Sequence, residues 1–330
     1  MKTLFIGGTG NISSAVSRLA IKNGIDLYLL TRGKRKVEIA GAKTITTDIC
    51  DKEKVHQIFA KEKFDVVVNW IGYLPVNIKA DVELLLGKVK QYIYISSASV
   101  YQKPPLYPII TESTPTYNPY WKYSQNKIAC EEYLISVYRE QGFPITIVRP
   151  SLTYNTLFPI AIGGWGCYTI IDRMKRGGKI IVHGDGSSLW TVTHSEDFAK
   201  GFVGLIGHQQ AIGHCFHITS DEILTWDQIY KTIADAAGVE ANIVHIPTDF
   251  INRIEPDIGA GLLGDKGWSV IFDNSKIKTF VPEFKATITF SEGIKKTLEW
   301  FNEDETRKII NPKINETMDK IISAYEKCFI

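Results

Sequence analysis

Tyr123 and Lys127 stand four residues apart in the stretch YWKYSQNK at 120–127. On a helix that spacing puts the two side chains on one face. An ammonium group beside a phenol favours the phenolate. Bringing a hydroxyl that ionises near pH 10 down towards neutrality takes about 3 pH units, roughly 4 kcal/mol of differential stabilisation. A lysine and a second nearby cation could together supply it. Tyr120, the other tyrosine of the stretch, has only Ser124 four residues on, so the spacing selects Tyr123. Upstream, Ser97 lies in the run ISSASVY, where an apolar strand ends in hydroxyls. At the carboxyl end of a parallel strand such a hydroxyl faces the crevice where ligands bind. A serine that bonds a substrate oxygen and a tyrosine that exchanges its proton are the parts needed to move a hydride to or from a secondary alcohol or ketone.

A second constellation, GGTGNISS, joins the first strand-like run to the first helix-like one. Gly7 and Gly10 permit a tight turn and close approach of the backbone to a pyrophosphate, held by the positive end of the following helix. Ser13 stands where the third glycine of such loops usually lies, and either crowds the helix–strand packing or donates a hydrogen bond to phosphate. The second strand ends in TRGKRK, with Arg32, Lys34, Arg35 and Lys36 and no carboxylate for ribose hydroxyls. That cluster suits a 2′-phosphate, so NADP(H) is favoured over NAD(H). Asp48, after the next strand, sits beside the adenine or caps a helix.

These residues need a scaffold, and the first half of the chain supplies one by alternation. TLFIGG, LYLLTR, FDVVVNW, QYIYISS and ITIVRP are β-rich, and amphipathic stretches separate them. The pattern predicts an α/β fold, a doubly wound parallel sheet with helices on both faces. Ile12, Ala15, Val16, Leu19 and Ala20 make one apolar stripe ending at Gly24. After Pro150 the regularity decays into Gly- and aromatic-rich sequence, until DFAKGFVGLIG and HCFHI read as a helix and a strand returning to the sheet. The expected division is a dinucleotide-binding domain at 1–150 plus about 191–220, and a smaller substrate lobe at 151–190 and 221–330.

Composition narrows the classes. With 38 Lys+Arg against 36 Asp+Glu, no global field favours nucleic acid or an anionic membrane, so neither is an expected partner. No apolar run reaches the ~20 residues that span a bilayer, and the glycines of MKTLFIGGTG interrupt any signal-like stretch, so a cytoplasmic location is expected. Five cysteines without a CxxC pair fit reduced thiols. His208, His214, Cys215 and His217 lack a completing carboxylate and are read as structural, so no metal is expected. The cations of DRMKRGGK at 172–179 read as a solvated helix end, and Gly163–Tyr168 combines flexibility with aromatic surface that closes over substrate or packs between lobes.

Taken in order, GGTGNIS, SSASVY, the Tyr123–Lys127 spacing, VRP at 148–150 and HGDG…WTVTHSEDFAK resemble the extended short-chain dehydrogenase/reductases, the NAD-dependent epimerase/dehydratase group. The serine-ended loop and TRG resemble its atypical branch, which includes chloroplast stem-loop binding proteins. The resemblance implies that Ser97 polarises the substrate oxygen, Tyr123 is the acid/base, and Lys127 holds the nicotinamide ribose and tunes Tyr123. It also implies that Gly72 and Pro150 line the cofactor cleft, with Asn11, Ile12, Arg32, Asp48 and Ile49 completing the cofactor-contacting set, and that the chain forms a homodimer through paired helices. Ala98 and Ser99 stand where 4,6-dehydratases of the family carry an Asp-Glu pair, which argues against elimination of water. Trp190 stands where many members place an arginine on a nucleotide diphosphate. Tyr101, Tyr107, Tyr117 and Trp121 surround the reactive stretch and suit a small, ring-stacked, sugar-like substrate. The alternative is a non-catalytic protein that senses the dinucleotide or binds RNA on the same fold.

Overall fold

The computed structural model describes residues 1–35 and 37–329, so Lys36 of the basic turn lies outside the described residues. The chain runs β1 (Lys2–Ile6), α1 (Ser13–Lys22), β2 (Asp26–Thr31), β3 (Lys43–Thr46), α2 (Lys52–Lys61), β4 (Val66–Asn69), α3 (Pro75–Leu85) and β5 (Gln91–Ile95). It continues through β6 (Ile109–Ile110), α4 (Lys122–Gln141), β7 (Ile145–Val148), β8 (Leu152–Tyr154), α5 (Thr169–Lys175), β9 (Ile180–His183), β10 (Leu189–Trp190), β11 (Val192–His194), α6 (Ser195–Leu205) and β12 (Cys215–Phe216). Seven strands form one sheet in the order β12-β7-β5-β4-β1-β2-β3, every pairing parallel.

Parallel strands joined by helices are covered on both faces, and so read as continuous apolar runs. Every residue of β4, β5 and β7 is accordingly buried. Phe5, Val68, Ile93 and Phe216 pack on one face beneath α1 and α6, with Val16, Phe198 and Phe202. Leu4, Val67, Tyr92, Tyr94 and Ile145 pack on the other, against Val82 of α3 and Leu134 of α4. Strand order reverses between β1 and β4, and in such sheets the crevice beyond the carboxyl ends at that point is where ligands sit. The glycine loop, Asn69–Gly72 and Ser96–Ser97 all emerge there.

The segment after Pro150 is more regular than its composition predicts. Leu152–Tyr154 pairs with β11 and Ile180–His183 with Ile243–Ile246, both parallel. They enclose a third apolar core that includes Phe158, Ile170, Trp190, Trp226, Phe301 and Met318. Strands of two to four residues are too short for an alternation to show.

A buried carboxylate locks the end of β4. Asp81 of α3, 4 % exposed, accepts hydrogen bonds from the Asn69 amide and from the Tyr92 hydroxyl, and Asn69 Oδ1 in turn accepts from the Ile71 N–H at 2.8 Å. Burial pushes the Asp81 carboxyl up to about 6 against the pull of those two donors. The folded value lies above the unfolded one, so the native state holds the extra proton between about pH 4 and pH 6. The contribution of Asp81 to stability is therefore full below the unfolded value and is lost as pH rises through 6, roughly 3 kcal/mol for a shift of about 2 units. Asp81→Asn keeps an acceptor oxygen and cannot ionise. Urea titrations across this range should show the parent losing stability relative to the variant as pH rises; equal slopes would exclude Asp81 as the source.

Candidate active site

The loop after β1 requires glycine at two adjacent positions. Gly7 and Gly8 both adopt φ of +101°, a conformation that side chains resist. A Cβ on Gly8 would stand 2.6 Å from Leu29 Cδ2, and one on Gly7 3.1 Å from Trp70 Cβ. Sequence spacing singles out Gly7 and Gly10; Gly8 carries the tighter demand. Ser13, at the third-glycine position, closes the loop on itself: its Oγ accepts the Gly10 N–H at 2.8 Å, which leaves its own proton to donate, and Ser17 Oγ ties back to the Gly8 carbonyl at 2.8 Å.

A dinucleotide fits these residues. Ile12 precedes α1 without a side-chain cap and the first turn holds no acidic residue, which leaves N–H groups and the positive helix end facing the crevice. Asn11 donates to the Thr153 carbonyl at 2.9 Å, joining the loop to β8, while its Oδ1 is buried without a partner among the described residues. Arg32 leaves the end of β2, and Arg35 Nη1 reaches the Thr9 carbonyl at 3.4 Å, so one guanidinium lies against the glycine loop. The cap of α2 is Asp51, which accepts the Lys54 N–H. Asp48 instead accepts the Cys50 N–H at 3.0 Å. That bond, with the charges of Arg32 and Lys34 adding to it, holds its carboxyl below the usual range. Neighbouring Ile49 packs against the apolar core beneath the sheet.

Ser97, Tyr123 and Lys127 meet at the carboxyl ends of β4 and β5. Ser97 has extended backbone and accepts the Ser99 N–H at 3.2 Å. Its Oγ lies 2.9 Å from Ser99 Oγ, which accepts from Ser124 Oγ at 2.7 Å. A run of hydroxyls thus joins the strand end to α4. Tyr123 sits in the first turn of α4, its ring 4.8 Å from Trp121 and 6.4 Å from Tyr73. One turn on, the fully buried Lys127 ammonium donates to the carbonyls of Gly72 and Ile95, each at 2.8 Å, and lies 5.9 Å from the Tyr123 ring centre. An ammonium has three donors, so one remains. Burial pushes Lys127 down to about 8. Burial also pushes the Tyr123 phenol up to about 12, with the Ser97 hydroxyl pulling it down by less.

Backbone groups do much of the positioning. The Gly72 carbonyl also accepts from Tyr94 at 3.2 Å, and a Cβ there would stand 2.6 Å from Ile78 Cδ1. The Pro150 carbonyl accepts the Ala98 N–H at 2.9 Å. Buried Asn118 holds the turn that leads into α4: Oδ1 accepts the N–H groups of Tyr120 and Trp121, at 3.2 and 3.1 Å. Its Nδ2 donates to the carbonyls of Ser99 and Gly264, at 2.9 and 2.6 Å. Sequence reasoning passed over Asn118, although Asn-Pro is a turn signal.

Other charged and ring groups have local work. His217 bridges the Tyr101 hydroxyl and the Asp273 carbonyl, at 2.9 and 2.7 Å, and His194 caps α6. No group of three or more metal-ligating side chains gathers among the described residues. Arg173 and Arg176 pair with Asp319 and Asp172. Trp190 is buried, 5.6 Å from Trp226. All five cysteines are free, and no helix among the described residues is long and apolar enough to cross a membrane.

Known proteins resemble this chain in sequence and in fold. The model of the NAD dependent epimerase/dehydratase family matches residues 3–218. The chain is 29 % identical over 265 residues to the chloroplast stem-loop binding protein of 41 kDa b from Arabidopsis thaliana, covering 76 % of this chain and 67 % of that one. It is 32 % identical over 253 residues to a UDP-glucose 4-epimerase of Lactobacillus helveticus, covering 68 % and 75 %. The UDP-glucuronic acid 4-epimerase of Bacillus cereus, solved in complex with NAD, superposes with a TM-score of 0.71 at 18 % identity, over 92 % of this chain and 97 % of that one. By its family match and its parallel dinucleotide-binding sheet, this chain belongs to the NAD dependent epimerase/dehydratase family, and is a nicotinamide-dependent enzyme of the extended short-chain dehydrogenase/reductase type.

Proposed function

We propose that this enzyme moves a hydride between NADP(H) and a secondary alcohol or ketone of a sugar-like small molecule, as an epimerase or a reductase, with Ser97, Tyr123 and Lys127 as its working residues. The observation that carries the reading is the convergence of the Ser97 hydroxyl and the Tyr123 phenol above the buried Lys127 ammonium. The nicotinamide ring supplies the hydride chemistry. Ser97 Oγ, steadied by Ser99, bonds the reacting oxygen, and the Tyr123 phenol gives that oxygen a proton or takes one from it. Lys127 has its third donor for a ribose hydroxyl. Trp121 and Tyr73 offer ring faces to a sugar. Elimination of water lacks an acid/base pair, because the residues after Ser97 are buried Ala98 and Ser99.

Two finer readings have support of their own. The absence of a carboxylate from TRGKRK at the end of β2, the Arg35 guanidinium on the glycine loop and the field of Arg32 and Lys34 at Asp48 favour a 2′-phosphate. A homodimer is supported by the exposed Leu74 and Val76 at the start of α3. The test is a titration of the purified protein with NADPH and with NADH, read by fluorescence of the reduced ring. NADPH should bind about tenfold more tightly, a difference of about 1.4 kcal/mol. Ring absorbance that survives gel filtration marks an epimerase; exchange marks a reductase. A chain that binds neither dinucleotide overturns the proposal.

A further inference from the structure

Each serine hydroxyl has one proton to give and two lone pairs with which to receive. Ser99 and Ser124 are buried, 2 % and 0 % exposed, so their protons must find acceptors in the protein rather than in water. The Ser124 hydroxyl donates to Ser99 Oγ at 2.7 Å. The Ser99 hydroxyl then has one acceptor within reach among the described residues, Ser97 Oγ at 2.9 Å. If Ser97 donated the other way, Ser99 Oγ would receive two protons and its own would be buried without a partner, which is the costly arrangement. Ser97 Oγ also receives the Ser99 N–H at 3.2 Å. Both of its lone pairs are therefore occupied, and only its proton is free. Ser97 is the half-buried end of the row, and its hydroxyl acts on the Tyr123 phenol.

The other end of the row is fixed as well. Ser124 follows Tyr123 in the first turn of α4. The Ser99 carbonyl accepts the Asn118 amide at 2.9 Å, from the side chain that holds the turn leading into that helix. A shift of the helix against the strand end would break the row. Hydroxyls that donate in one sense polarise one another, so the last of them is a stronger donor than a serine facing water.

We infer that Ser99 and Ser124 are positioning residues that fix the direction of the Ser97 hydroxyl, so that Ser97 meets the reacting oxygen only as a donor and never takes its proton. The inference rests on the proposed reaction and deepens it, because Tyr123 becomes the single proton carrier of the site. As the carbonyl carbon receives the hydride of the reduced nicotinamide, its oxygen takes the proton of the Tyr123 phenol, which is left as phenolate, while Ser97 keeps its own. In the reverse direction the alcohol proton goes to that phenolate and the hydride leaves the same carbon.

Neutron diffraction from deuterium-exchanged crystals of the whole protein reads the direction without any substrate. Deuterium should lie between Ser124 Oγ and Ser99 Oγ on the Ser124 side, and between Ser99 Oγ and Ser97 Oγ on the Ser99 side, with that of Ser97 turned to the crevice. A Ser97 deuterium aimed at Ser99 would overturn the inference. The kinetic arm is a single turnover of bound NADPH with trifluoroacetophenone, a small activated ketone, followed by ring absorbance. Ser99→Ala frees the Ser97 hydroxyl to sample three staggered positions, so the step should slow by about threefold or more. Ser124→Ala lets the remaining pair donate in either direction and should slow it by less. Ser124→Thr, which keeps the hydroxyl, should restore the parent rate. Dinucleotide affinity and the half-saturating ketone concentration should stay at parent values in all three, a split that a merely structural role would not give. Parent rates in both alanine variants would overturn the inference. A parent that leaves bound NADPH unoxidised counts instead against the proposed reaction, and the neutron map then decides the direction alone.

Discussion

Tyr123→Phe is expected to lower kcat by about 10³-fold, within the range of 10²–10⁴ that a positioned acid/base contributes, while dinucleotide affinity stays at the parent value. The substitution removes one hydroxyl and keeps the ring, so the contacts with Trp121 and Tyr73 survive. Lys127 is seated by the Gly72 and Ile95 carbonyls rather than by the phenol, so the ribose side of the site should not move. Loss of kcat with KM nearly unchanged marks an interaction made in the transition state. The phenol's own value supports this division. At about 12 in the free protein, it keeps its proton at neutral pH and is poised to donate to a ketone oxygen. The reduction direction should therefore hold its rate through neutral pH, and the oxidation direction should accelerate as pH rises. Stopped-flow measurement of ring absorbance on an identified substrate decides the matter, and an unchanged rate in Tyr123→Phe removes this tyrosine from the chemistry.

How much of this was legible before any coordinates depends on how far apart in the chain the causes lie. β1, β4, β5 and β7 announce themselves through runs of β-branched and aromatic residues, because burial on both faces is a local demand repeated at each position. The shared face of Tyr123 and Lys127 follows from helical spacing alone. What holds Lys127 does not, since its carbonyl partners lie 55 and 32 residues away. The same distance hides the need for Gly8, which is set by Leu29 on the neighbouring strand, and the role of Asn118, which is set by Gly264 across 146 residues. Residues that act through long-range backbone contacts leave no period and no motif.

Glu131→Leu should cost about 3–5 kcal/mol of stability, the penalty for leaving a buried cation without its partner. The Arg149 Nε donates to both carboxylate oxygens of Glu131, at 3.0 and 3.2 Å, and Nη2 donates at 2.5 Å. The two side chains are 4 % and 3 % exposed, and the guanidinium carbon lies 4.8 Å over the Tyr101 ring. Nη1 already lacks a partner among the described residues, so the arginine has no alternative acceptor to turn to. Exchanging both members, Glu131→Leu with Arg149→Met, should recover most of the loss, because buried pairs roughly break even against apolar side chains of similar volume. The position of the pair gives it a second consequence. Glu131 stands one turn beyond Lys127 on α4, and Arg149 directly precedes Pro150, so the pair clamps the helix that carries Tyr123 to the strand end beside Ser97. Urea denaturation of the single and double variants measures the first effect, and a single variant as stable as the parent would exclude the penalty. If the double variant regains stability while kcat stays low, the ion pair sets the seat of α4 as well as its stability. If kcat recovers in full, apolar packing alone is enough to aim the phenol.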